Sequence, residues 1–283
     1  MVLQTKFFAD TEVMVARLIG YMANRADRLR DAFHQERLAI AGVPVDQRGA
    51  WGIGFYQGDE VLHKKQPAPD GEPIDWDVIA AKIQTDCAIA HLRQATVGGF
   101  SVDNTHPFRL RQWLFAHVGT VGAFDEIKEP LLAALPDFLR RNIRGSSDSE
   151  LFFHLILAGL HTRNQLDAAE PSQATVMESI GDAVKRIDEL AGSTGAPSTL
   201  NMILCNGRTM YALRRGPSFG YSVHLGMQDP VEPGEERPRP GSPALQYTML
   251  VSGGLEVPTG YNSLGDSTVA TLKRDLQIVT HSL

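Results

Sequence analysis

The chain has 283 residues, of which 43% are hydrophobic and 21% charged, a balance that supports one or two packed domains with a substantial core. Lys and Arg number 27 against 33 Asp and Glu, and the net charge of -6 excludes a broad basic footprint for nucleic acid. Two cysteines, Cys87 and Cys205, exclude a disulfide framework and a CxxC metal site.

Residues 1–13 read as an N-terminal extension to a domain spanning 14–283. The start lacks the basic-then-apolar layout of a signal peptide, and no apolar run approaches the roughly 18 residues of a membrane span. The expectation is a soluble cytoplasmic protein. Val15, Leu18, Ile19, Gly20 and Tyr21 predict a short buried strand and its exit. Leu29, Ala32, Phe33 and Leu38 fall near helical spacing within 24–40. Residues 51–56 predict a strand, 57–60 a turn and 61–63 the return strand of a hairpin. The proline-rich 66–75 predicts a loop, 76–84 a helix, and 87–92 and 113–118 compact apolar strands. Pro130 and Pro136 divide 125–140 into two short helices. Ser147, with Glu150 three residues on, forms a capping-box pattern at a helix start. Val176, Ile180, Val184 and Ile187 make one apolar stripe along 172–190. Three strand pairs close the chain: 200–205 with 208–214, 221–226 with 246–252, and 268–272 with 276–280. Within the middle pair lies 228–244, whose five prolines and charges predict a flexible loop insertion. Strands, then helices, then strands predict a layered α+β fold rather than alternating βαβ units.

Six short segments, including 90–96 with 104–108, 115–119 and 147–150, which are hard to read as generic core, form an ordered pattern. They are Ala16-Arg17-Leu18-Ile19-Gly20-Tyr21, Gly49-Ala50-Trp51-Gly52-Ile53-Gly54, and Ala90-His91-Leu92-Arg93-Gln94-Ala95-Thr96. Then come Asn104-Thr105-His106-Pro107-Phe108, Phe115-Ala116-His117-Val118-Gly119 and Ser147-Asp148-Ser149-Glu150. In this order they resemble the motifs of the class II glutamine amidotransferases, in their stand-alone form. Val251-Ser252-Gly253-Gly254-Leu255 resembles a worn version of a later motif, so the likeness runs over about residues 14–283. It implies the Ntn-hydrolase fold: a four-layer αββα sandwich of two antiparallel sheets with helices on both outer faces. In that family an N-terminal Cys attacks the glutamine amide, with its own α-amine as base. An Asn side chain and a Gly amide stabilise the oxyanion. An Arg fork pairs with the substrate carboxylate.

Carried over residue by residue, Arg93 matches the carboxylate-binding Arg. Thr96, His106 and Asp148 match positions lining the glutamine pocket, and Gly119 matches the oxyanion Gly. The chain departs from the pattern twice. Ala16 stands where the family has its nucleophilic Cys, and Val118 where it has the oxyanion Asn. Position 16 also lies fifteen residues inside the chain, away from a free α-amine. Losing a nucleophile costs on the order of 10⁶ in kcat, and losing one oxyanion donor roughly 10²–10³. The expectation is a catalytically inactive amidotransferase-like protein that binds a ligand, regulates, or docks on a protein partner. Glutamine, glutamate or a γ-glutamyl compound is the expected ligand, with no cofactor, metal, nucleic acid or membrane. Two alternatives stay open: an active amidotransferase or γ-glutamyl amide hydrolase with different chemistry, and a pure protein-interaction scaffold using 228–244 and the extension. Elsewhere simpler readings hold. His91 and His117 read as hydrogen-bonded core histidines, and His154 and His161 share a helix face with too few ligands for a metal. Cys87 and Cys205 read as inert buried thiols, Ser147 and Ser149 as capping residues, and Trp51 and Trp113 as core aromatics.

Overall fold

The computed structural model describes residues 16–41, 49–68, 74–94, 101–228, 243–254 and 256–283. The extension 1–13, Val15, Thr96 and most of 228–244 lie outside them. In chain order, β1 is Arg17–Ala23, α1 Leu29–Gln35, α2 Arg37–Ile40, β2 Gly49–Gln57, β3 Glu60–Ala68, α3 Trp76–Ala80 and β4 Cys87–Gln94. Next are β5 Phe108–Leu110, β6 Trp113–Thr120, α4 Phe124–Ala133, α5 Asp137–Arg140, α6 Asp148–Thr162 and α7 Gln173–Gly192. The chain closes with β7 Thr199–Cys205, β8 Thr209–Arg214, β9 Phe219–Met227, β10 Leu245–Ser252, β11 Asn262–Ser263, β12 Thr268–Lys273 and β13 Ile278–Ser282.

Seven strands form one sheet in the order β11-β9-β10-β1-β4-β2-β3, and six form a second in the order β13-β12-β8-β7-β6-β5. The strand pairings are antiparallel, including the three terminal pairs read from the sequence. The sheets face each other, and the two-residue period of a strand divides each sequence between two cores. In β1, Leu18 and Met22 enter the space between the sheets, while Ile19 and Tyr21 turn outward onto α1 and α3. In β6, Leu114, Ala116 and Val118 face inward, while Trp113 and Phe115 turn outward onto α4, α6 and α7. Burial of both faces explains why 87–92 and 113–118 read as unbroken apolar runs. On the outer face of the first sheet, Phe33 meets Trp76 edge-on at 5.9 Å. On the second, Phe115 stacks on Phe153 at 5.2 Å and meets Phe152 edge-on at 5.5 Å. This is the α+β sandwich of two antiparallel sheets expected from the motifs.

Four local expectations need correction. The helix expected over 24–40 is two pieces, broken at Glu36, whose backbone sits at φ -91 and ψ 8. There the Glu36 carboxylate takes Tyr247 Oη at 3.0 Å, Tyr261 Oη at 2.6 Å and His224 Nε2 at 2.7 Å. The break turns Leu38 outward, 85% exposed, off the apolar stripe it was assigned to. Pro130 does not divide the next helix; it sits inside α4, and the boundary falls at Pro136, which precedes α5. An interior proline removes one hydrogen bond, and the packing of Ile127 and Leu131 outweighs it. Strand β3 runs three residues, 66–68, into the expected loop 66–75, and the short strands β5 and β11 have no signal of their own in the sequence. Phe115→Ala should lower unfolding free energy by about 3–5 kcal/mol, read by urea denaturation, because three aromatic rings lose their shared contact.

Candidate functional site

The inward period places the site. Cys87, Ile89 and His91 alternate inward along β4, so Arg93 continues the same face. Arg17 pairs with Leu92, so Ala16 falls level with Arg93 on the neighbouring strand. Ala16 packs against the inter-sheet cluster that contains Val118, so the two positions expected to depart from the family pattern border one cluster. The entry to β1 is pinned: Arg17 donates to the Gly253 carbonyl and, at 3.1 Å, to the Ala41 carbonyl. Gly253 has φ +100, and a Cβ there would lie 1.7 Å from the Ala16 oxygen, so no larger residue fits beside this turn. Gly119 is as tightly held, since its Cβ would lie 2.0 Å from the Thr199 oxygen.

Arg93 is 7% exposed. Burial pulls its guanidinium below the ordinary arginine range, and the charge of Asp148 counters that pull. Asp148 opens α6, where a helix N-terminus favours a carboxylate. Its Oδ2 accepts Val121 N–H at 2.8 Å and its Oδ1 accepts Ser149 N–H at 2.8 Å. Ser147 caps the helix by accepting Glu150 N–H at 3.2 Å. The reciprocal half of the capping box is absent, because Glu150 turns back to accept Arg144 N–H at 2.9 Å and Gly145 N–H at 2.7 Å. Asn104 Oδ1 accepts Ser146 N–H at 2.7 Å, joining the segment that carries His106 to the one that carries Asp148.

The outward period of β6 sends His117 to α6. Its Nε2 lies 3.1 Å from the Thr199 carbonyl and its Nδ1 2.8 Å from Ser149 Oγ. A carbonyl only accepts, so Nε2 carries the proton, and Nδ1 and Asp148 Oδ1, at 3.3 Å, compete for the single proton of the serine hydroxyl. Burial holds His117 below its usual pKa, against the raising effect of Asp148. Ser149 looks like a capping residue in its local sequence, and nothing in the spacing shows that His117, 32 residues earlier on β6, meets its hydroxyl. His106 lies against His91, ring centroids 4.2 Å apart, and against Phe108 at 4.7 Å. Among the described residues the four ring nitrogens of His91 and His106 are buried with no hydrogen bond of ordinary length, while the His117 backbone raises the His91 pKa slightly against the pull of burial. Desolvation brings His91 down to about 3 and holds His106 well below the ordinary value, so both are neutral. Thr96 lies outside the described residues. His154 Nδ1 donates to the Glu150 carbonyl at 2.8 Å, while His161 packs on Phe138. No group of three or more His, Cys, Asp or Glu among the described residues is placed to hold a metal ion. No helix among them is long and apolar enough to cross a membrane.

Comparison with known proteins supplies the class. The sequence profile of the class-II glutamine amidotransferases matches residues 18–221, and the chain belongs to that family. Among its relatives is a Haemophilus influenzae protein with glutamine amidotransferase in its name, 27% identical over 222 residues, 73% of this chain and 68% of that protein. Another is the gamma-glutamyl-hercynylcysteine sulfoxide hydrolase of Mycobacterium tuberculosis, 27% identical over 170 residues, 60% of either chain. The chain thus spans about two thirds of the first and less of the second. A solved glutamine aminotransferase class-II domain protein from Silicibacter pomeroyi superposes with a TM-score of 0.60 at 20% identity, covering 94% of this chain and 99% of that one. The glutamine phosphoribosylpyrophosphate amidotransferase of B. subtilis shares the fold, with a TM-score of 0.56 at 15% identity, over 94% of this chain and 49% of that one.

The buried histidines set an acid limit. Unfolded His91 takes up a proton near pH 6.5, but folded His91 does so only near 3, so stability falls as pH drops through that window. Each such histidine contributes about 1.4 kcal/mol per pH unit, and His91→Gln should flatten urea-denaturation stability between pH 6 and 4 by that slope.

Proposed function

We propose that this chain is a non-catalytic member of the class II glutamine amidotransferase family that binds the amino-acid end of a glutamate-like or γ-glutamyl ligand. The observation that carries the reading is Ala16, whose methyl offers no electrons to a carbonyl. Val118 supports it, since hydrocarbon cannot donate to an oxyanion. The nearest buried amide is no replacement: Asn201, opposite Val118 on β7, already donates to the Pro217 carbonyl at 2.9 Å and to Ser252 Oγ at 2.8 Å. The cysteines are no replacement either, because Cys87 lies six residues from Arg93, about 20 Å along β4. What the site retains is a buried guanidinium beside a carboxylate, a pairing suited to the carboxylate and ammonium of an α-amino acid. The Mycobacterium relative's name, a γ-glutamyl hydrolase, favours a ligand with that end. In this role the protein acts as a regulatory or partner-binding subunit.

One observation favours a second reading, an active hydrolase: Ser149 Oγ and His117 Nδ1 form a hydroxyl–base pair at 2.8 Å. Against it, Ser149 is 5% exposed, lies in the first turn of α6 and already bonds Asp148.

Isotope-labelled glutamine should release no ammonia above a buffer blank. Glutamate or a γ-glutamyl dipeptide at about ten times its Kd should raise the melting temperature by about 3 °C. Arg93→Ala should weaken binding at least about tenfold. Ammonia release lost in Ser149→Ala would establish the second reading instead.

A further inference from the structure

Cys87 opens β4 and Cys205 ends β7, at the end of the sandwich remote from Arg93. Both side chains enter the inter-sheet core, both are fully buried, and both are free thiols. Their sulfurs lie 3.5 Å apart. A disulfide has its sulfurs at about 2.05 Å, so closure moves them together by about 1.5 Å. The two strands belong to different sheets and are separated by 118 residues of chain.

The surroundings hold the two backbones together. Thr85 Oγ accepts Cys87 N–H at 3.1 Å and donates to the Tyr56 carbonyl at 2.6 Å. Tyr56 Oη donates to the Cys205 carbonyl at 2.7 Å. The Gly207 amide donates to Cys205 Sγ at 3.2 Å. A cavity of about 380 Å³ is lined by Tyr56 and Gly207, which bond Cys205, and by Arg274, though by neither cysteine itself. Arg274, ion-paired with Asp86 at 2.6 Å, turns positive charge toward both thiols.

We propose that Cys87 and Cys205 form a reversible redox pair, which hydroperoxides close into a disulfide joining the two sheets. Burial alone would raise the Cys205 thiol, but hydrogen bonds from Cys87 and Gly207 bring it below its usual value, while Cys87 is held above its own. Cys205 is therefore the attacking sulfur. Its thiolate attacks one peroxide oxygen, the O–O bond breaks, and the departing hydroxide takes the thiol's proton as water. The resulting sulfenic acid is attacked by Cys87 sulfur; the S–O bond breaks and a second water leaves with the Cys87 proton. Two thiols lose two electrons and one peroxide becomes two waters. A dithiol reverses the bond by exchange.

The test uses the folded full chain and hydrogen peroxide. Intact mass should fall by two hydrogens, and a peptide map should show one linked pair carrying Cys87 and Cys205, released by dithiothreitol. The melting temperature should rise by about 5–10 °C. Cys87→Ser should stop the reaction at a Cys205 sulfenic acid, trapped by dimedone. Two thiols left free under millimolar peroxide, or separate sulfinic acids on the two cysteines, overturn the proposal. The wild-type map decides this even where the variant fails to fold.

Discussion

Two sheets packed face to face impose one constraint on every central strand: alternate residues belong to different environments. The inner space receives Leu18, Ile89, Leu114, Ala116 and Ile203, and the same face of the same strands carries Ala16 and Val118 to one end and Cys87 and Cys205 to the other. The outer face of β6 sends Phe115 and His117 toward α6. A one-residue slip of β6 would exchange Val118 with His117 and leave a titratable ring in the apolar core. Register along β6 is therefore what separates the part of the site built from hydrocarbon from the part built from hydrogen bonds.

The polar part is built at the start of α6. Four successive residues, Ser147 to Glu150, are buried, and each has a backbone or side-chain partner. An unmade hydrogen bond at a buried group costs about 1–3 kcal/mol, so this turn is held by the sum of many modest terms. Glu150 serves two amides of the preceding loop, and Asn104 serves a third, which keeps two distant segments of sequence in contact. His91 and His106 are the exception. Their ring nitrogens make no hydrogen bond of ordinary length among the described residues, and neutrality is how the fold tolerates them.

Much of this was legible before any coordinates. Unbroken apolar runs located β4 and β6, the apolar stripe of Val176, Ile180, Val184 and Ile187 located α7, and the order of six short motifs pointed to the fold class. What failed to show was long-range. The helix breaks at Glu36, whose carboxylate serves a histidine, His224, and two tyrosines that lie 211 and 225 residues later. Local spacing contains no trace of that demand. Ser149 and His117 meet because one lies on a helix and the other on the outer face of a strand beneath it. Cys87 and Cys205 each look like an isolated buried thiol, and only the stacking of the sheets makes them neighbours.

The two departures at the site end have a common physical logic. On the reading proposed above, a chain with Ala16 gains nothing from an oxyanion donor. An unpaired amide at position 118, where exposure is only 9%, would still cost about 1–3 kcal/mol when no substrate is bound. Val118 removes that cost and extends the inter-sheet core by one hydrophobic side chain. The Arg93–Asp148 pair is under the opposite pressure. Asp148 raises the Arg93 guanidinium against the pull of burial, so removing the carboxylate makes the buried charge more costly. On that reading, loss of chemistry turns positions 16 and 118 to hydrocarbon while the charged residues stay, and the sequence carries Ala16 and Val118 together with Arg93 and Asp148.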